Sequence, residues 1–273
     1  MIILINIDRS KIKWALFAKE QISPQKPLEY DIQNYQLSIT KLIELWKSKN
    51  LNPSRIMISG MVGEALNYLS EAIENSYEIE PETLVASKSY KKLKNSYNKA
   101  QSLETERWLN LIGAYENSAC LNPPQDNYAF CVVDCSIAIT IDAVDKSGNH
   151  LGGFITPGIE LMEQSLLSQV TSTSNQVKEK PLINKIKKPA DLNSFLANNT
   201  QHAIIGGIYY TVISYLESII ADLDTIFNSK FKVFITGIHG HKLTAMLHSN
   251  CYENLLAIEL HEDLIWQGMI SLI

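Results

Sequence analysis

Two parts of the chain set apolar runs and polar breaks in the same order. Ile2 to Ile7 is almost wholly apolar and is closed by Asp8. A short polar turn, Arg9-Ser10-Lys11, leads to a second apolar run, Ile12 to Phe17. The stretch from Phe130 to Asp142 repeats the scheme, with Asp134 near its middle and a tight bend after it. Apolar runs of this length, bounded by polar turns, predict buried strands joined as hairpins. Asp8 and Asp134 fall at equivalent points of the two hairpins. One hairpin opens each half, so the pattern predicts a duplication: two related α/β halves with a cleft between them.

Helical spacing follows each hairpin. Tyr30 to Lys49 predicts a helix with Leu37, Leu42, Ile43, Leu45 and Trp46 on a helical period, and Gly63 to Asn75 another with Leu66, Leu69 and Ile73 on one face. A strand is expected between them at Arg55–Ser59, with further short strands at 77–79 and 83–86. The lysine-rich stretch 90–101 reads as a surface loop, and Glu104–Glu116 as a helix burying Trp108, Leu111 and Ile112. Later come a helix from Gly158 to about Val170, a polar loop over 171–188 and a long helix over 200–227. A strand over Lys232–Thr236 ending at Gly237 follows, then a helix, a strand and a closing helix over 263–273. The break at Leu121-Asn122-Pro123-Pro124 divides the chain into halves 1–119 and 125–273. Alternating strands and helices place the chain in the α/β class, whose ligands bind outside strand ends.

The run from His150 to Met162 carries the clearest chemical signal. It reads as a glycine-rich loop leading into a helix, with Gly152, Gly153 and Gly158 allowing close backbone approach to a ligand and Pro157 fixing the helix start. An acidic strand end facing such a loop suits a metal-bound phosphate.

Composition adds limits. The 273 residues carry a formal net charge of −5, which argues against nucleic acid as a main partner. No apolar run reads as a membrane span, and nothing resembles a secretory signal, so a cytoplasmic protein without a membrane partner is expected. The four cysteines form no CxxC pair; Cys131 and Cys135 share one face of a strand and read as reduced core residues. The groups Glu259-His261-Glu262-Asp263 and His239-Gly240-His241 match no common metal-ligand spacing. Asp142 and Asp145 read as turn or strand-end residues, and Trp14, Trp46 and Trp266 as core or interface.

Taken together, the motifs resemble those of type III pantothenate kinases, within the actin-like ATPase and sugar-kinase superfamily. Leu151 to Gly158 with Met162 fits that family's GGxIxPGxxxM pattern. Asn199 to Gly207 fits NTxxAIxxG, Thr236-Gly237 fits a TGG turn with Ile238 in place of the second glycine, and Asp263 to Met269 fits DLxxxGL. Leu103 to Trp108 aligns with LGxDRW, and Tyr97 keeps the spacing of YxxPxxLGxDR with Ala100 in place of proline.

The resemblance implies two RNase H-like halves and transfer of the γ-phosphate of ATP to pantothenate, early in coenzyme A synthesis. It also implies a homodimer that needs Mg²⁺ and a monovalent cation, K⁺ or NH₄⁺. By position it makes Glu106 the catalytic base, and Tyr97, Arg107, Gly153 and Thr200 the pantothenate pocket. Asp8 would hold Mg²⁺ and phosphate, and Asp134 the monovalent cation. Ser10, Lys11, Ser136, Thr236 and Gly237 would line the ATP phosphates. Such chemistry rests on positioning and charge neutralisation, with a carboxylate accepting the alcohol proton.

Several positions depart from the family's patterns. Read with Asp8 as the first aspartate, the DxGNTxxK loop is shortened and has lost its glycine and asparagine. In the second loop, DxGTA, Ser136 and Ile137 replace glycine and threonine, and Ile137 offers phosphate no hydrogen bond. Glu104 and Glu106 replace glycine and aspartate. Two readings stay open: a working kinase, or a degenerate relative that acts through binding or regulation with little or no turnover.

Overall fold

Burial of alternate residues explains the layering of the first part of the chain. β1 (Ile2–Ile7) sends Ile3, Ile5 and Ile7 to one face, where Ile39, Leu42 and Trp46 of α1 (Tyr35–Ser48) meet Leu69 and Ile73 of α2 (Glu64–Tyr77). Leu4 points the other way, into a cluster with Leu109 of α3 (Thr105–Ala119) and Ile265, Trp266 and Met269 of the closing helix Leu264–Ile270. A strand covered on both faces must be apolar at nearly every position, as Ile2–Ile7 is. The computed structural model describes residues 1–8, 11–60, 63–119, 128–171, 196–247 and 252–273.

The chain divides into two compact units. Unit 1 comprises Met1–Asn127, Ser147–Gly152 and Asp263–Ile273; unit 2 comprises Tyr128–Lys146 and Gly153–Glu262. The closing helix, which the sequence reading gave to the second half, thus belongs with unit 1. Glycines explain its fit there: a side chain on Gly113 of α3 would strike the Leu264 carbonyl, and one on Gly268 the Leu109 carbonyl.

The unit 1 sheet contains β1, β2 (Lys11–Ala18), β3 (Gln21–Pro24), β4 (Leu28–Glu29), β5 (Arg55–Ser59) and β6 (Glu82–Thr83). Its order is β3-β2-β1-β5-β6, with β4 beside β2. β1 runs antiparallel to β2 and parallel to β5. No strand forms at 77–79, because Tyr77 still belongs to α2, which stops at a left-handed Glu78. The lysine-rich stretch is more structured than expected. β7 (Ser89–Tyr90) and β8 (Leu93–Lys94) form a hairpin whose Leu93 is buried. Buried Asn95 donates to the carbonyls of Ser87 and Ala100, so a polar side chain, invisible to apolar periodicity, fixes the bend.

Unit 2 repeats the scheme. Its sheet contains β9 (Ala129–Cys135), β10 (Ala138–Val144), β11 (His150–Pro157), β12 (Phe231–Thr236) and β13 (Leu255–Leu260), in the order β11-β10-β9-β12-β13. β9 runs antiparallel to β10 and parallel to β12. The glycine-rich run is therefore a strand beside β10, and not the loop expected; only at Gly158 does the chain turn into α4 (Ile159–Thr171). Cys131, Val133 and Cys135 pack with Ile205, Val212 and Leu216 of α5 (Thr200–Phe227) and Leu243 of α6 (Gly240–Met246). Both cysteines are buried free thiols, and burial pushes their pKa up. The closing helix Leu264–Ile270 is α7.

α5 corrects the reading that no segment is long and apolar enough for a bilayer. Among the described residues it is one such helix, by length and composition. Its inner stripe, Ile205 to Leu223, belongs to the core of unit 2. The break at 121–124 lies outside the described residues, as does the expected polar loop from residue 172 on.

Candidate active site

Strand register decides which residues correspond between the two sheets. Asn6 is the penultimate residue of β1 and lies opposite Ser59, the last of β5; Gly60 follows with φ +84°. Asp134 is the penultimate residue of β9 and lies opposite Thr236, the last of β12; Gly237 follows with φ +89°. Asp134 therefore corresponds to Asn6 and not to Asp8, which lies beyond β1 in the hairpin turn. A two-residue frame error hides easily in sequence because it keeps every side chain on its face, whereas the pairing of Asn6 with Ser59 fixes the frame. Set position for position, DxGNTxxK runs from Asn6 to Lys13: Asn6 takes the aspartate place, Asp8 the glycine and Lys13 the lysine. No residue is missing from the turn.

Asp8 serves its own turn. Its amide donates to the Lys11 carbonyl at 3.1 Å, its Oδ1 accepts the Lys11 N–H at 2.7 Å, and its Oδ2 lies 3.2 Å from Lys13 Nζ. Ser10 lies outside the described residues. Asn6 is fully buried on the same face as Leu4, towards α3. Its Nδ2 donates to Glu106 Oε1 at 3.0 Å, and its Oδ1 accepts from Ser59 Oγ at 2.9 Å.

Glu106 and Arg107 are consecutive in the first turn of α3. Arg107 is buried, and its Nη1 donates to Tyr97 Oη at 3.1 Å with the guanidinium over the ring. Tyr97 stacks on buried His150 at 6.1 Å and 14° between planes, and His150 Nδ1 lies 3.1 Å from Ser96 Oγ. Unit 1 thus brings together Tyr97, Glu106 and Arg107, and adds Asn6, Ser59 and His150, which sequence reasoning missed. Asn6 was within reach, since a gapless reading of the first loop finds it.

Unit 2 gathers Asp134, Ser136, Thr236 and Gly237. Asp134 is buried and accepts from Ser136 Oγ at 2.6 Å. A Cβ on Gly237 would lie 2.5 Å from Asp134 Oδ1, so only glycine lets the turn sit on that carboxylate. Beyond it, the His239 amide donates to the Cys135 carbonyl at 3.0 Å. Gly153 on β11 is exposed, and a side chain there would strike the Ile141 carbonyl. Thr200 opens α5 behind Asn199, whose Oδ1 caps the His202 N–H at 2.9 Å. Among the described residues no group of three or more His, Cys, Asp or Glu is placed to hold a metal ion. Instead Glu259 accepts from Lys232 at 2.5 Å and meets His261 at 3.2 Å.

Residues 2–222 match the sequence model of the type III pantothenate kinase family. The chain belongs to that family. A type III pantothenate kinase of Dichelobacter nodosus is 30% identical over 273 residues, spanning 99% of this chain and 97% of its own. One from Nitrosococcus oceani is 27% identical, spanning 98% and 92%. Acetate kinase from Entamoeba histolytica superposes with a TM-score of 0.52 at 10% identity, covering 100% of this chain and 99% of its own, which shows the fold alone. That fold is the actin-like ATPase fold, carried here by two sheets of one strand order.

Proposed function

We propose that the protein is an ATP-dependent pantothenate kinase of coenzyme A synthesis. One observation carries this reading: the start of α3 presents Glu106 and Arg107 side by side, with Glu106 held by Asn6 and Arg107 by Tyr97. Glu106 accepts the proton of the primary hydroxyl as its oxygen attacks the γ-phosphorus; the bond to the β-phosphate oxygen breaks and ADP leaves. Arg107 and Tyr97 of unit 1 hold the acid and amide of pantothenate. In unit 2, Ser136, Thr236 and Gly237 face the phosphates of ATP.

Asp8 does not fit the Mg²⁺ expected of it. Strand register puts Asn6, a neutral amide, at the aspartate place of the first loop, while Asp8 lies in the turn with Lys11 N–H on Oδ1 and the Lys13 ammonium beside Oδ2. Asp134 does fit a monovalent cation: it is a buried carboxylate with a hydroxyl beside it, and K⁺ there would supply positive charge against phosphate.

A homodimer is part of the proposal. Leu161 and Leu166 of α4 and Tyr210 of α5 are exposed, and Gly206 and Gly207 have open space where side chains would stand. A second copy of the same face suits such a surface. We place the enzyme in the cytoplasm, where ATP and pantothenate meet.

The neutral Asn6 at the aspartate place of the first loop favours a second reading, a chain that binds pantothenate but turns it over poorly. The deciding experiment is phosphorylation of labelled pantothenate with millimolar Mg-ATP, with and without K⁺. Product that depends on K⁺ supports the kinase. Folded protein that binds pantothenate by calorimetry but yields no product supports the second reading.

A further inference from the structure

Asn6 sits where the second sheet has a carboxylate, and its side chain meets Glu106 at the start of α3. Its two ends are not interchangeable. The Glu106 carboxylate only accepts, so Nδ2 is the end that faces Oε1, and Oδ1 is left to accept from the Ser59 hydroxyl. Gly60 closes the arrangement, since a Cβ there would lie 3.1 Å from Asn6 Oδ1 and would strike the Ile7 carbonyl. The amide is therefore fixed from behind and aimed at the carboxylate. A carboxylate at position 6 would set two anions about 3 Å apart in a partly buried place, which disfavours charging both.

We propose that Asn6 is the positioning residue for Glu106, and that the amide at 6 and the longer acid at 106 work as one coupled pair. The proposal rests on the kinase reading only for its kinetic arm. The extra methylene of glutamate carries the carboxylate out to the amide of Asn6. An aspartate at 106 would fall short by roughly 1 Å, a displacement able to cost about 100-fold in rate. An aspartate at 6 keeps the shape of asparagine and the Ser59 bond but replaces the donor by an anion. Changing both eases the repulsion, because the shorter acid at 106 stands about 1 Å further from the acid at 6.

The test is a double-mutant cycle in the full chain: Asn6→Asp, Glu106→Asp, and both. Each single change is expected to lower kcat about tenfold or more with the KM for pantothenate within about threefold, and the double variant to recover most of the loss, a non-additivity expected only of groups in contact. Additive losses, or a fall in melting temperature that tracks the fall in kcat, would overturn it. A second readout needs no activity. The Asn6 side-chain amide protons are assigned by NMR in the wild type and in Glu106→Ala. The proton facing Glu106 is expected downfield in the wild type and to lose that shift in the variant. An unchanged resonance overturns the contact even if the protein proves inactive, whereas an inactive protein with the expected shift removes the kinase reading alone.

Discussion

Asp134 and Gly237 are in contact across two parallel strands, so closely that one methyl group on the glycine would come 2.5 Å from the carboxylate. Gly237 also holds φ at +89°, where an L side chain is strained. Gly237→Ala is expected to destabilise the protein by about 1–3 kcal/mol and to raise the KM for ATP more than that for pantothenate. Thermal melts and steady-state kinetics check this, and equal effects on both substrates would place the turn away from the nucleotide.

Glu106→Gln keeps the size of the side chain and removes the proposed base. Phosphorylation is expected to fall on the order of 100-fold or more while pantothenate binding by calorimetry changes little. Full activity in this variant would remove Glu106 from the chemistry.

Arg107 uses its guanidinium twice, as a donor to Tyr97 Oη and as a cation over the ring. Lysine provides a point charge but no fork. Arg107→Lys should raise the KM for pantothenate about tenfold or more, and Tyr97→Phe should raise it less, since the ring contact survives.

His239 gives the stability a pH dependence of known sign. Burial holds its pKa below the ordinary 6.5; Glu160 pulls it up and Lys242 pushes it down, and burial prevails. Between the lowered folded value and 6.5 the unfolded chain takes up a proton that the folded protein does not. This contribution is therefore fully present above about pH 6.5 and declines as the pH falls below it. His239→Gln should flatten that acid-side decline in melting temperature; a slope equal to that of the wild type would assign it to another group.

Gly207 of α5 faces open space, so the fold of one protomer tolerates a large residue there. Gly207→Trp should leave the melting temperature of the dilute protein nearly unchanged and convert the proposed dimer into a monomer in sedimentation velocity. A dimer that persists would move the interface off this face.

Much of the fold was legible in the sequence because apolar period and length coincide with burial. Strand Arg55–Ser59 and helix Thr200–Phe227 stand where the pattern set them. The glycine-rich run was harder, since glycine has no side chain to alternate, and β11 shows itself only through the close approach of Gly153 to β10. Tyr97, Glu106 and Arg107 were legible from spacing and do gather in unit 1. Asn6 was not, because a short motif read from its nearest aspartate gives no sign of its frame, whereas the pairing of Asn6 with Ser59 fixes it.

The bond between Asn6 and Glu106 joins residues 100 positions apart in the chain. A first loop grafted from a relative with aspartate in that place would arrive with the wrong partner waiting for it. Chimeras and consensus redesigns of this enzyme must therefore carry the end of β1 and the start of α3 as one inherited piece, although nothing in the order of the sequence marks them as such.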